Sequence, residues 1–341
     1  MGDRGHVAVI GGGSWGTAFA SIPATNRVPT LLCARRDECV EQINDRHRNE
    51  EYLPEIDLPP TLRATTDLEE AVAGASVVVM AVPSHCFRDK VAEVAPMLAN
   101  GAPVVSLTKG VERNTHQRMS EVIVDAAGLP ADRVAVVSGP NLAKEVARGL
   151  PGATVVACSD EDRARALQRL FHLSSFRVYT NTDVCGVEIG GACKNVVAIA
   201  AGIASGLGYG DNSLAALVTR GLVELTRLGV RLGANPLTFA GLAGVGDLVA
   251  TCLSPQSRNR TVGFGLGQGM TLDEVIASMN QVAEGVKSCA AILQLAASVG
   301  ADMPIAERVG RVLYDGADVK EQVDDLLTRD PEPEFLGITP G

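Results

Sequence analysis

Three constellations in this chain have the residue types and spacing to do chemistry. The first is Gly11-x-Gly13-x-x-Gly16, which follows directly on the apolar run Val7-Ala8-Val9-Ile10 and leads through Ser14 and Trp15 into small, helix-compatible residues. Gly11 suits a tight turn with unusual dihedrals, and Gly13 lets the backbone come close to a pyrophosphate. Gly16 lets a helix pack tightly on the preceding strand, so that backbone N–H groups and the positive end of the helix dipole face phosphate oxygens. With 36 glycines a chance match is easy, but the placement between a strand and a helix start makes this a dinucleotide site. The second is Arg35-Arg36, which ends the next apolar run, Thr30-Leu31-Leu32-Cys33-Ala34. An acidic residue that would grip the adenosine ribose of NAD is expected there, and two guanidiniums stand in its place. Planar forks bind phosphate oxygens in a bidentate manner, so the cofactor expected is NADP(H), with NAD(H) also usable. The plainer alternative is an exposed charge pair answering Asp37 and Glu38. The third is Lys194, set with Asn195 among Gly190-Gly191-Ala192-Cys193 and Val196-Val197. Lysine is seldom fully buried without a purpose, so Lys194 is a functional candidate; the bland reading is an amphipathic stem reaching solvent.

The elements that must position these groups follow from pattern. Short β-branched runs recur at Val77 to Val82, Val104 to Thr108, Val134 to Ser138 and Thr154 to Cys158, separated by helical patterns. Such alternation predicts an α/β fold: a doubly wound, mostly parallel sheet covered by helices on both faces. Ligands of such sheets collect at the carboxyl ends of the strands, so Ala81-Val82-Pro83-Ser84, Thr108-Lys109-Gly110 and Ser138-Gly139-Pro140-Asn141 should rim one crevice with the glycine loop. From Asp183 onward Ala, Leu and Gly at helical spacing replace the β-branched runs, which predicts an all-helical C-terminal domain. The expected division is a dinucleotide-binding domain over 1–181, a helical substrate and catalytic domain over 182–328, and a proline-rich, flexible tail over 329–341.

Composition bounds the partners. A chain of 341 residues with 46% hydrophobic and 21% charged residues is long enough for two substantial cores. A net charge of −10 argues against nucleic acid or an anionic membrane surface as partner, while leaving room for a local cationic pocket that captures an anionic substrate. Eight scattered cysteines with no CxxC pair or Cys/His cluster indicate reduced thiols, with neither a disulfide framework nor a metal site. No charged leader with a cleavage site and no apolar run of bilayer length is evident, so the expected compartment is the cytoplasm, without membrane insertion. The apolar faces of the Ala/Leu-rich helices would suit pairing of two subunits as a homodimer.

Taken together, Gly-Gly-Gly-Ser-Trp-Gly-Thr-Ala (11–18), Tyr-Leu-Pro (52–54), Thr-Lys-Gly (108–110), Ser-Gly-Pro-x-x-Ala-x-Glu (138–145), Gly-Ala-Cys-Lys-Asn (191–195), Gly-Leu-Ala-Gly-x-Gly-Asp (241–247) and Ser-Arg-Asn-Arg (257–260) resemble the bacterial NAD(P)-dependent glycerol-3-phosphate dehydrogenase family. The resemblance spans about residues 5 to 325 and implies a Rossmann-type N-terminal domain. It also implies reversible reduction of dihydroxyacetone phosphate to sn-glycerol 3-phosphate for glycerophospholipid synthesis. It places cofactor contacts at Ser14, Trp15, Arg35, Arg36, Tyr52, Lys109, Ala143, Arg258, Val282 and Glu284, beside Gly11, Gly13 and Gly16. Substrate contacts fall at Lys109, Gly139, Asn141, Lys194, Asn195, Asp247, Ser257, Arg258 and Asn259. Many relatives carry Ser or Thr where this chain has Asn141. Lys194 matches the family's catalytic lysine, and the chemistry agrees: hydride delivered to a ketone carbon builds charge on the oxygen, which needs a cation and a proton donor. Asp247 and Asn195 would hold the ammonium, and Arg258 and Asn259 would take the phosphate. By residue type alone Asp247 after Gly246 reads as a helix N-cap. Alternatives are another lysine-dependent NAD(P) dehydrogenase of the β-hydroxyacid, ketopantoate or 6-phosphogluconate kind, and a non-catalytic NADP-binding sensor.

Overall fold

The computed structural model describes residues 5–279, 283–331, 333–334 and 337–338. Within them the chain forms two compact units: residues 5–108 with 119–184, and residues 109–118 with the described residues from 185 onward.

The first unit is built on an eight-stranded sheet: β1 (Val7–Ile10), β2 (Thr30–Cys33), β3 (Leu62–Thr65), β4 (Val77–Met80), β5 (Val104–Ser106), β6 (Val134–Ser138), β7 (Gly152–Cys158) and β8 (Phe176–Asn181). Their spatial order is β3-β2-β1-β4-β5-β6-β7-β8. Every pairing is parallel except β6 with β7. All residues of β1, β4 and β6 are buried, which is why they read as unbroken apolar runs rather than alternating ones. Two further strands lack an unbroken apolar run. β3 (Leu-Arg-Ala-Thr) and β8 (Phe-Arg-Val-Tyr-Thr-Asn) carry an arginine each and sit at the two edges, where one face meets water. The order reverses between β1 and β4, and their ends are in step: the Ala81 amide donates to Ile10 O at 2.8 Å and the Leu107 amide to Met80 O at 2.9 Å. That reversal is where a parallel sheet opens a crevice for a ligand.

The second unit is helical among its described residues, apart from an isolated antiparallel bridge between Val111 and Arg118. Its central helix, Val184–Gly206, is buried over nearly its whole length. Small residues there let other backbones approach. A Cβ at Gly206 would lie 2.5 Å from Phe264 O, and one at Gly267 would lie 2.5 Å from Ile203 O, so the helix Arg258–Gly267 meets Val184–Gly206 backbone to backbone. Contrary to expectation, two stretches do reach bilayer length and apolarity: Val184–Gly206, with mean hydropathy 1.4, and Pro236–Leu253, with 1.5. The first is 83% buried inside the fold across its most apolar window, so its apolarity is that of a protein core. Some described residues of the tail have partners. Arg329 pairs with Asp302 at 3.4 Å, Glu334 O accepts from Arg220 at 2.7 Å, and Gly337 lies against the Arg227 side chain. All eight cysteines are free, five of them buried.

Candidate active site: a glycine cradle and a two-lysine carboxylate

In the first unit the glycine loop behaves as its spacing predicts. Gly11 has φ +121°, and a Cβ there would lie 2.5 Å from Ala81 O. A Cβ on Gly16 would run into Gly11 O, whereas one on Gly13 would meet nothing within 4 Å. The close-packing and ligand-facing glycines are thus distinct. The helix Ser14–Thr25 starts after Gly13 with no side chain capping it, and Trp15 has a buried indole Nε1 without a hydrogen-bond partner. An open face at Gly13, an uncapped helix start and an orphaned donor fit a dinucleotide pyrophosphate.

The neighbouring turn is tied to this cradle. Ser14 Oγ donates to Tyr52 O at 3.1 Å, and the buried Asn49 donates to Gly12 O at 3.0 Å and to Thr17 Oγ1 at 2.8 Å. Asn49 was not anticipated: a lone asparagine in a polar stretch gives no signal, and its importance comes from burial alone. Arg35 is exposed. Arg36 does not answer Asp37 or Glu38; its guanidinium is ion-paired to Glu51 and lies over the Tyr52 ring at 5.6 Å. Gly139 follows β6 with φ +146°, and Asn141 donates to Thr154 Oγ1 at 2.9 Å while its Oδ1 is buried without a partner. Ala143 begins a short helix, Ala143–Ala147.

In the second unit the chemistry converges on Asp247, which is 1% exposed. Lys194 Nζ donates to its Oδ1 at 2.5 Å and Lys109 Nζ to its Oδ2 at 2.5 Å, so one carboxylate serves two ammoniums. Asp247 is the first residue of its helix and Gly246 occupies the N-cap position, so the N-cap reading is set aside. The second partner of Lys194 is Thr251 Oγ1 at 2.6 Å, not Asn195. Thr251 lies one turn beyond Asp247 on the helix Asp247–Leu253, a spacing of four that puts both side chains on one face. Burial alone would push the Asp247 carboxyl up; the charges and hydrogen bonds of Lys109 and Lys194 prevail and hold it below the ordinary 3.8. Burial pushes Lys109 down to about 8, with Lys194 adding to the fall and Asp247 opposing it.

Lys109 belongs with this unit because the segment 109–118 does. The Val111 and Arg118 bridge closes it, and Arg118 pairs with the buried Glu188 of the helix Val184–Gly206 at 2.9 Å. A stability prediction follows from the depressed lysine. Between pH 8 and 10.5 the unfolded chain holds a proton on Lys109 that the native state has released, so stability rises across that window. At about 1.4 kcal/mol per pKa unit the full rise is about 3 kcal/mol. Urea unfolding at pH 7.5 and pH 10.5 should show this gain in the natural chain and a markedly smaller one in Lys109→Met.

The remaining residues divide by task. Ser257 Oγ caps the helix Arg258–Gly267 by accepting from the Arg260 amide at 3.2 Å. Asn259 is 8% exposed; it donates to Asn195 Oδ1 at 2.9 Å and accepts from the Gly285 amide at 2.9 Å. Asn195 and Asn259 therefore lock helices together, which corrects the expectation that Asn195 holds the ammonium. Arg258 stands exposed on the first turn of its helix with the Glu284 carboxylate acting on it. Val282 lies outside the described residues.

Residues 6–164 match the family model described as NAD-dependent glycerol-3-phosphate dehydrogenase N-terminus, and residues 183–324 match the corresponding C-terminus. A protein of Streptomyces griseus subsp. griseus named glycerol-3-phosphate dehydrogenase [NAD(P)+] is 55% identical over 327 residues, covering 96% of this chain and 97% of its own. One of the same name from Thermobifida fusca is 54% identical, covering 97% of this chain and 99% of its own. The crystal structure of glycerol-3-phosphate dehydrogenase from Coxiella burnetii superposes with a TM-score of 0.90 at 36% identity, over 96% of this chain and all of that one. With both halves of the chain matched in order, this protein belongs to the NAD-dependent glycerol-3-phosphate dehydrogenase family.

Proposed function

We propose that this protein catalyses the reversible NAD(P)H-dependent reduction of dihydroxyacetone phosphate to sn-glycerol 3-phosphate, feeding glycerophospholipid synthesis, with NADP(H) preferred and NAD(H) also used. The observation that carries the reading is the buried Asp247 carboxylate shared by two ammoniums, in a chain of this family that also has the glycine cradle. Gly11, Gly13, Gly16, Ser14 and Trp15 would hold the cofactor pyrophosphate, with Arg35, Arg36 and Tyr52 at the adenosine end, and Ala143, Lys109, Arg258, Val282 and Glu284 as its further contacts. When bound, the nicotinamide supplies hydride to the ketone carbon. Lys194 stabilises the charge that develops on the ketone oxygen and passes a proton from Nζ to it; in the reverse direction the neutral amine accepts the alcohol proton. Asp247 and Thr251 fix the direction of Nζ, so that little reorganisation is needed when charge develops. Lys109 adds a second positive charge. Arg258 reads the substrate phosphate, with Gly139, Asn141, Asn195, Ser257 and Asn259 as further substrate positions. We further propose cytoplasmic residence, a homodimer, and no partnership with nucleic acid or membrane, in keeping with the net charge of −10.

Turnover of NADPH with dihydroxyacetone phosphate tests the activity, and Arg258→Ala tests the phosphate assignment. At saturating NADPH the variant should lose roughly tenfold to hundredfold in kcat/KM for dihydroxyacetone phosphate, the worth of a charge-assisted contact of about 1.5–3 kcal/mol. Its slow reaction with unphosphorylated dihydroxyacetone should barely change, because that substrate has no phosphate to lose. Equal slowing of both substrates would place the phosphate elsewhere, first at Lys109 and Asn141.

A further inference from the structure

The expected acidic residue at the end of β2 is replaced by Arg35, yet a carboxylate does stand beside the second guanidinium. It comes from Glu51, fifteen residues away in sequence from Arg36. Its position is not accidental. Asn49 and Leu53 bridge across the turn that carries Glu51, and that turn is fastened to the glycine loop at two points, by Ser14 Oγ to Tyr52 O and by Asn49 Nδ2 to Gly12 O. Tyr52 supports the same guanidinium from its ring face at 5.6 Å. The cradle that would receive a dinucleotide thus holds Arg36 between a carboxylate and an aromatic ring. The two charged side chains are 40% and 50% exposed, so the pair is screened and weak. A stronger anion can draw Arg36 away, though against opposition.

We propose that Glu51 is a specificity-determining residue: its carboxylate competes with the 2′-phosphate of NADP(H) for the Arg36 guanidinium and so holds down the ratio of NADP(H) to NAD(H) affinity. The inference rests on the proposed reading that Arg36 meets the 2′-phosphate. A phosphate monoester arriving at Arg36 must either displace Glu51 or sit beside a like charge, and both reduce what the arginine contributes. NAD(H), with a hydroxyl at that position, meets neither cost. The two cofactors are brought closer in affinity than Arg35 and Arg36 alone would leave them.

The test is an equilibrium titration of the full chain with NADPH and, separately, with NADH. Quenching of Trp15, the single tryptophan, serves as the signal, because it lies in the first turn after Gly13. Four proteins are compared: the natural chain, Glu51→Gln, Arg36→Gln and the double variant. Glu51→Gln should tighten NADPH about fivefold, roughly the worth of one exposed ion pair, and leave NADH within about twofold. The gain should shrink as salt is raised, and it should vanish in the Arg36→Gln background. If Arg36→Gln weakens NADPH selectively while Glu51→Gln leaves NADPH unchanged or weaker, Glu51 only orients the arginine and the proposal is overturned. If Arg36→Gln affects both cofactors alike, the 2′-phosphate reading of Arg36 itself fails, and the proposal goes with it.

Discussion

Lys194→Met should lower turnover by roughly 10² or more, the range expected when acid–base assistance is lost, while the fold and NADPH binding survive. Methionine keeps an unbranched apolar stem of similar length, so the buried helix around position 194 is neither emptied nor overfilled. Loss of the ammonium does not orphan Asp247, which retains Lys109 at 2.5 Å. For that reason the variant separates chemistry from stability more cleanly than most substitutions of a buried charge. Circular dichroism and an NADPH titration would confirm a folded, cofactor-competent protein, and steady-state assay would read the loss. Near-normal turnover in such a protein would move the proton donor elsewhere, with Lys109 the first candidate.

Asp247→Asn should be the more damaging change to the fold. It leaves two ammoniums facing a neutral amide in a site that is 1% exposed at the aspartate, and removing one partner of a buried pair costs about 3–5 kcal/mol. The deficit should depend on pH in a definite direction. Lys109, which burial already pushes down to about 8, loses its proton more readily still when the counter-charge is gone, so the variant should recover stability relative to the natural chain as pH rises toward 9. Urea unfolding at pH 7 and pH 9 checks both the size and the sign. A loss under about 1 kcal/mol at pH 7 would mean that the carboxylate is not the counter-ion that the geometry makes it.

What the sequence disclosed depended on distance along the chain. The glycine cradle was readable in full because its parts are consecutive: the dihedral of Gly11, the open face of Gly13 and the close approach at Gly16 all follow from a six-residue pattern. The strands were readable where both faces are buried, as in β1, β4 and β6, and unreadable at the edges, where Arg63 and Arg177 interrupt the apolar signal. The ion cluster was readable only through resemblance. Lys109, Lys194 and Asp247 are 138 and 53 residues apart in pairs, and no local pattern says that they meet. Nor does any local pattern say that Asn259 donates to Asn195 Oδ1 and accepts from the Gly285 amide. Burial and partner choice decide such roles, and neither is local. The same holds for Glu51, which looks like ordinary surface charge until its partner is known.

The assignment of residues 109–118 to the second unit bears on how the protein is made. A chain leaves the ribosome from its N-terminus, and Lys109 emerges well before the helix Val184–Gly206 and before Asp247. Until then Arg118 has no Glu188 and Lys109 no carboxylate, so this segment waits, charged and solvated, while residues on either side of it can already fold into the sheet. The two-lysine cluster is therefore a late product of synthesis, closed only after position 247 has cleared the exit tunnel. A fragment beginning at residue 185 would carry Lys194 and Asp247 without the second ammonium, and so would not reproduce the site however well its helices formed.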